Sequence, residues 1–572
     1  MKILPKHFLS AVAIIVAAAD SLCAQNALFI PPAITGTVFN LNIQNGTTQF
    51  YPGINTPTYG INGALLAPTL IVNKGDWVTM NVTNSLTGNG NSTTIHWHGM
   101  HVPAMYDGGP HQIIAQGTTW SPHFQILNSA ATYWYHPHGQ GKTDLHVSKG
   151  IAGMIIVKDS AEAALTLPRT YGVDDFPIIV QSKAFDVLHQ IAVSTESDTA
   201  VMVNGTVHPY LNVPSQVIRL RLLNGSSLRT YLLGFTGNQS FKIIASDDGL
   251  LDSAITATRI RISPGERYEI LIDLQGMNGQ TIQLKNFGSE LPNGIYGAAT
   301  VGVGGDTIPY YSDNFLNGAD YDILQLNVGA QSASPVLTTP TSLTNNVKWN
   351  PSSANITRTF YLEADSVNQK AEGPFNMNGK KFDMDSINEF THLNDIEIWT
   401  WVNHTLVAHP IHIHDMHFFI LDTNGNLPPP FESGKKDVVL VMPGDSLSFI
   451  TRFEDFADNV TPYMFHCHLL HHEDDGMMGS FIVLDTASAV TEIENHDWKI
   501  FPNPASDKLI IQTTNELNDI VIADVTGKTI KTISAKNKSI EIPVSDLADG
   551  IYFIKAINKD HSFFINKFII HH

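Results

Sequence analysis

Between Tyr463 and Gly479 the chain reads Y-M-F-H-C-H-L-L-H-H-E-D-D-G-M-M-G. Cys467 sits between His466 and His468, with His472 beyond them and Met477 further on. Thiolate, imidazole and thioether together are the donors of a soft electron-transfer copper. The flanking histidines require a second centre, because successive side chains of a strand point to opposite faces. Cys467 then faces one way while His466 and His468 face the other. One strand would serve two metal centres, joined through its own backbone.

Three more H-x-H pairs occur: His96 and His98, His136 and His138, and His412 and His414. In an extended strand both imidazoles of such a pair lie on one face. His409 precedes His412 by three residues and so points away from it. Parity therefore sorts the donors into two sets. His409, Cys467 and His472, with Met477 as a weak axial group, suit one blue copper. The eight paired histidines suit a cluster of three further coppers. These ten of the 25 histidines are the ones used; His417 and His471, which sit beside ligands, are left out. Structural zinc favours compact sets of four Cys and His ligands, and four H-x-H pairs with one Cys do not fit that pattern.

Strands are needed to carry these pairs, and the chain is written for them. Two phrases recur with a period of roughly 150 residues. The first opens on Asn62-Gly63, Asn204-Gly205 and Asn378-Gly379, runs through alternating apolar residues and closes on an Asn. The second spans Gln116 to Ile126, Pro264 to Leu274 and Pro443 to Phe453. Turn signals followed by alternation are hairpin and strand grammar, and convincing helical periodicity is absent. The fold class is all-β, with three homologous Greek-key sandwiches. Histidine pairs occur in the first and third copies, whereas the second holds only isolated His189 and His208.

Composition narrows the setting. Charged residues are 15% of the chain and the net charge is −20, which argues against nucleic acid or anionic lipid as partners. Lys2 and Lys6 precede an apolar run from Phe8 to Ala19 and a small-residue exit, the pattern of a secretory signal peptide over residues 1–24. No later run is long enough to span a membrane. The chain has two cysteines, and Cys23 leaves with the signal. Exported proteins normally pair their cysteines, so the lone Cys467 in the histidine-dense region reads as a metal ligand.

H-W-H-G at His96, Y-W-Y-H-P-H-G at Tyr133, H-P-I-H-I-H at His409 and H-C-H-L-L-H-H-E-D-D-G-M-M at His466 resemble the four ordered motifs of the multicopper oxidases. The likeness is to the three-domain type, which includes laccases and bacterial cuprous oxidases. It implies cupredoxin-like domains at 25–160, 161–335 and 336–487, with the cluster between the first and third. It also implies four copper ions. His409, Cys467, His472 and Met477 would hold type 1, and His96 and His412 type 2. His98, His136, His138, His414, His466 and His468 would hold the type 3 pair. Dioxygen would be reduced to water at the cluster, and because that reaction consumes protons it favours ionisable groups nearby. Asp107 and Glu473 match positions that bacterial members use for this.

The electron donor is less sharply written. Cuprous oxidases of this group resemble the chain down to K-F-D-M at Lys381, but often carry a methionine-rich insert that is lacking here. Met377, Met384, Met416, Met442, Met464 and Met478 are scattered and read as core fillers. The expectation is a phenol or aromatic-amine oxidase, with Cu(I) or Fe(II) as the alternative donor. A copper-free scaffold and a copper nitrite reductase fit less well with a complete ligand set. From Trp498 the character changes to short Lys-rich strands with F-P-N-P and D-G-I-Y-F-I. Residues 498–572 resemble a type IX secretion C-terminal sorting domain, a small β-sandwich joined by a linker at 488–497. That implies the type IX machinery as a partner and a secreted or cell-surface destination.

Overall fold

A computed structural model describes residues 25–88, 91–193, 197–485, 498–513, 517–524, 528–535, 537–558 and 563–572. The signal-peptide and linker assignments lie outside these residues. The described residues fall into two compact units, one on each side of residues 486–497.

Within the larger unit, period-two alternation makes sheets with one face inward. Trp77–Asn84 (W-V-T-M-N-V-T-N) buries Val78, Met80, Val82 and Asn84 and turns the residues between them outward. It pairs in parallel with Val38–Tyr51, which pairs antiparallel with Ile54–Ile61. Facing this sheet is a second with the order Ala33–Thr35, Thr69–Asn73, Gly153–Lys158, Ala131–His136, His96–His98. Phe39, Val82, Trp97, Tyr133 and Tyr135 fill the space between the two.

The same parallel pairing of outer strands occurs twice more, between Asp175–Phe185 and Val217–Asn224 and between Ile356–Ala364 and Ile396–Asn403. Asn62, Asn204 and Asn378 of the first phrase all have positive φ (56°, 48° and 54°), a conformation Asn tolerates. The closing asparagines also share one arrangement. Asn84, Asn224 and Asn403 each donate from Nδ2 to two backbone carbonyls and accept the backbone N–H two residues on. Each thereby turns the chain out of a buried strand without leaving unpaired polar groups.

The middle pair of sheets holds a core of aliphatic residues around Ile218, Leu220 and Tyr268. Asn26–Ala27 joins its edge, in parallel with Pro209 and Tyr210. The last pair places Glu389–His392, Met478–Leu484, Asp458–Cys467, His409–Ile413 and Val438–Val441 side by side. Trp399, Trp401, Phe360, Phe465 and Phe481 fill its interior, and Cys467 and Met477 belong to the same core. Helices are few and short. Thr143–Lys149 begins with the backbone N–H groups of Thr143 and Asp144 on the carboxylate of Asp474, at 2.9 and 3.0 Å. That side chain supplies the cap the helix lacks locally.

The smaller unit is a β-sandwich of a three-stranded and a four-stranded sheet around Leu509, Ile511, Ile522, Ile554 and Phe568. No helix among the described residues is long and apolar enough to cross a membrane.

Candidate metal centres

Strand register brings the histidine pairs together. His136 lies opposite His96, and Trp134 opposite His98, in the antiparallel pair Ala131–His136 and His96–His98. On the other side His412 lies opposite His466, while Ile411 lies opposite Cys467. His466 therefore joins the histidine side and Cys467 turns into the core of its own domain, as alternation requires.

The eight paired histidines converge in one fully buried pocket. Three groups share ligand atoms within 4.8 Å of one another: His96, His98 and His412; His98, His136 and His468; His138, His414 and His466. The Nε2 atoms of His138 and His466 are 3.1 Å apart, those of His138 and His414 3.0 Å, and those of His96 and His412 3.4 Å. A neutral imidazole carries one N–H, and in seven of the eight rings the outward nitrogen faces a carbonyl or a carboxylate. Nδ1 of His96 donates to the carbonyl of Asp107, that of His136 to Pro137 and that of His412 to Asp437. Nδ1 of His414 donates to Asp107 Oδ2 at 2.7 Å, and Nε2 of His98 donates to Asp437 Oδ1 at 3.2 Å. Glu473 spans two rings, with Oε1 3.3 Å from His138 Nδ1 and Oε2 3.2 Å from His466 Nδ1. The inward nitrogens thus present lone pairs to one another. Such a convergence of acceptors is unfavourable unless cations lie between them, and outward anchoring of this kind accompanies metal-ligating histidines. His468, the eighth, has no hydrogen-bond partner on either nitrogen.

The second group is His409, Cys467 and His472. Cys467 Sγ is 3.4 Å from His409 Nδ1 and 3.7 Å from His472 Nδ1. Thr405 Oγ1 is 2.8 Å from His409 Nε2, and the Tyr296 hydroxyl is 3.5 Å from His472 Nε2, so Nδ1 of each ring is the one facing sulfur. Met477 is fully buried in the same core, and its carbonyl accepts the backbone N–H of Cys467 at 3.1 Å. Sulfur and two imidazole nitrogens in a dry, aromatic-walled site are a donor set that fits copper.

Residues 42–162 and 352–487 each match a family model described as multicopper oxidase. The chain is 35% identical over 456 residues to a multicopper oxidase of Staphylococcus haemolyticus, covering 78% of this chain and 88% of that protein. This chain belongs to the multicopper oxidase family. Among solved structures it resembles a laccase-like multicopper oxidase from Ochrobactrum sp., with a TM-score of 0.70 and 32% identity over 80% of this chain and 100% of the other. It is also 30% identical over 472 residues to the cell division protein FtsP of Sodalis glossinidius, covering 80% and 92% of the two chains. Residues 499–571 match a secretion system C-terminal sorting domain.

In this multicopper oxidase the electrostatics of the pocket favour metal binding. Burial pushes His98, His136, His138, His412 and His472 well below the ordinary histidine value. It lowers His409, His414 and His468 to about 3. All eight of these rings are therefore neutral, as ligation requires. Burial alone would raise Asp107, but the rings of His414 and His96 outweigh it and hold the carboxyl well below its usual range. Glu473 behaves likewise between His138 and His466. Burial pushes the Cys467 thiol up, so binding a cation at sulfur must displace a proton.

The sign of the pH dependence follows. Between about pH 6.5 and 3 the unfolded chain binds protons at His409, His414 and His468 that the fold refuses. Stability is thus complete above the unfolded value and is lost as pH falls, by about 1.4 kcal/mol per pH unit for each such ring. The urea midpoint of metal-free protein should decline steeply over that window and stay flat from pH 7 to 8. A flat profile down to pH 4 would contradict neutral burial of these rings.

Two participants were not apparent from the motifs. Asp437 holds both His98 and His412, and Arg267 holds Asp437 with Nη1 and Nη2 each 2.6 Å from its carboxylate oxygens. Arg267 comes from the middle repeat, which has no paired histidines. A signal existed: in the phrase P-G-E-R-Y it stands where the other two copies have Thr119 and Ser446. His417 stacks on Trp349, and the half-buried His471 lies 3.7 Å from Asp475; neither joins a donor group.

Proposed function

We propose that this protein is a copper-dependent oxidase that takes single electrons from phenolic or aromatic-amine donors and reduces dioxygen to water. The observation that carries the reading is the segment His466–Cys467–His468, whose central residue belongs to one buried donor set and whose neighbours belong to the other. In this reading His409, Cys467, His472 and Met477 hold type 1 copper. His96 and His412 hold type 2. Two further ions take His98, His136 and His468, and His138, His414 and His466. When bound, copper supplies the one-electron redox chemistry and the site of dioxygen reduction.

The chain's own residues do the rest. Burial of Cys467 and the two imidazoles excludes water and holds the sulfur 3.4 and 3.7 Å from the two Nδ1 atoms that would hold the ion with it. The backbone from Cys467 to His466 and His468 joins the two centres covalently. The Asp107 carboxylate, with Oδ1 on His96 and Oδ2 on His414, and Glu473, between His138 and His466, lie against the outer nitrogens of four ligand rings, where they orient the ligands and can hand on protons that water formation consumes. The complete donor set, with most of its rings anchored from outside, weighs against a copper-free scaffold.

Three repeats of one cupredoxin-like domain, at 25–160, 161–335 and 336–487, are the proposed organisation, with residues 1–24 as signal peptide. The tail at 498–572 would direct type IX export to the medium or cell surface. To test the donor, kcat/KM for a diphenol, Cu(I) and Fe(II) should be compared on copper-loaded protein with free copper controlled. We expect the diphenol to lead by at least about tenfold. Much faster turnover of Cu(I) would reassign the donor to a metal ion, and blue protein that consumes no dioxygen with any of the three would end the oxidase reading.

A further inference from the structure

Asp248 is a buried carboxylate that the centres above leave unused. It is 4% exposed, and neither carboxylate oxygen has a hydrogen-bond partner. Buried groups of this kind are rare and call for a reason. Among the described residues its one cationic neighbour within 4 Å is Arg267, whose Nη2 stands 4.0 Å from Oδ1. The same nitrogen donates to Asp437 Oδ2, so one guanidinium stands between Asp248 and the carboxylate that touches His98.

On its other side Asp248 lines a cavity of about 180 Å³ together with Lys74, Asn128, Tyr133 and Lys435. It also borders a second cavity of about 300 Å³ that includes Ser129 and Asp159. Both are polar and large enough for water. A single layer separates the first cavity from the histidine pocket. Asn128 Nδ2 donates to the carbonyl of Gly99, the residue after His98, at 2.9 Å. A Cβ at Gly99 would lie 2.3 Å from Asp437 Oδ2, 2.6 Å from Arg267 Nη2 and 3.0 Å from Tyr133 Cδ1. Only glycine leaves that layer thin, and its φ of +80° suits no other residue.

We propose that Asp248 is a proton-relay residue that takes protons from water in the adjoining cavity and releases them to water on the inner side of the thin layer at Tyr133 and Gly99, toward the eight histidines. The inference rests on the oxidase reading, since reduction of one dioxygen to two waters takes up four electrons and four protons. Each relay step breaks the O–H bond of the Asp248 carboxyl and forms one on water. The carboxylate is then reprotonated from the cavity, and no electron moves. The groups that face Asp248 suit the role. Burial, with the carboxylates of Asp437 and Asp247, pushes its carboxyl well above the ordinary range, against the pull of Arg267 and Lys435. The Tyr133 hydroxyl and Lys74 complete its surroundings.

The test is Asp248→Asn in the full, copper-loaded chain. Copper content, blue absorbance and anaerobic bleaching by a diphenol should match wild type, while steady-state dioxygen consumption falls by at least about tenfold and its pH profile changes shape. Asp248→Glu should restore part of the rate. Thermal stability at pH 7 should be unchanged or higher in Asp248→Asn, because an ionised structural carboxylate would instead be missed. The difference between metal-free wild type and the Asn variant should contain the infrared C=O band of a protonated carboxyl at neutral pH, since buried Asp474, pushed up to about 8, contributes equally to both. Wild-type consumption and pH profile in Asp248→Asn, or no such band in the difference, overturns the relay alone. Wild type that consumes no dioxygen overturns the oxidase reading and the relay with it.

Discussion

Cys467→Ser should remove the blue absorbance and lower donor oxidation by at least about 1,000-fold, which is about 4 kcal/mol of barrier. Cys467 is the thiol that faces His409 and His472, and a serine hydroxyl is a poor donor to a soft metal. The fold should survive, because Ser is smaller and the site is walled by Phe375, Leu469 and Val441 of a large aromatic core. The eight-histidine pocket lies on the opposite face of the strand and should still bind copper, so metal analysis should show loss of about one ion in four. The measurement is an absorbance spectrum beside a copper assay on the same sample. Retained blue colour would remove Cys467 from the centre, and loss of all copper would show that the two sites are not separable.

Asp437→Ala should be the most destabilising substitution near the pocket. It strips Arg267, a fully buried cation, of its bidentate partner and leaves it Asp247 at 3.7 Å, Asp248 at 4.0 Å and a few carbonyls. Breaking a buried pair from one side costs about 3–5 kcal/mol, which corresponds to a fall in Tm of about 3–4 °C for a chain of this size. His98 also loses the acceptor of its Nε2 proton, so copper affinity should drop by about 10–100-fold. His412 keeps its anchor, because that contact is to the backbone carbonyl. The double variant Asp437→Leu/Arg267→Met separates the two effects. It should recover most of the Tm, since an apolar pair can replace a buried ion pair, without restoring copper affinity. Recovery of both would make the His98 contact incidental.

The donor residues were legible because ligand chemistry is written locally. An H-x-H pair states its face by parity alone, and Cys467 between two histidines states that two faces are in use. The sandwich class was legible for a similar reason: turn residues and two-residue alternation are short-range signals. What is not local was not legible. Glu473 directly follows His472, and Asp107 follows the first pair at a distance, yet nothing in their surroundings places Glu473 between His138 and His466 or Asp107 against His414. The contacts of Glu473 with His138 and of Asp107 with His414 join residues more than 300 apart in the chain.

The middle repeat makes the contrast sharpest. It has no paired histidines, yet it delivers Arg267 to Asp437, and Asp248 to the lining of a polar cavity. Neither residue carries a motif, because a charge acquires its role from what it is buried against, and burial is a property of packed sheets. The stretch around Cys467 therefore states its donor types and its two faces from sequence. Which carboxylates hold the rings, and where protons gain access, depends on three sandwiches closing on one pocket.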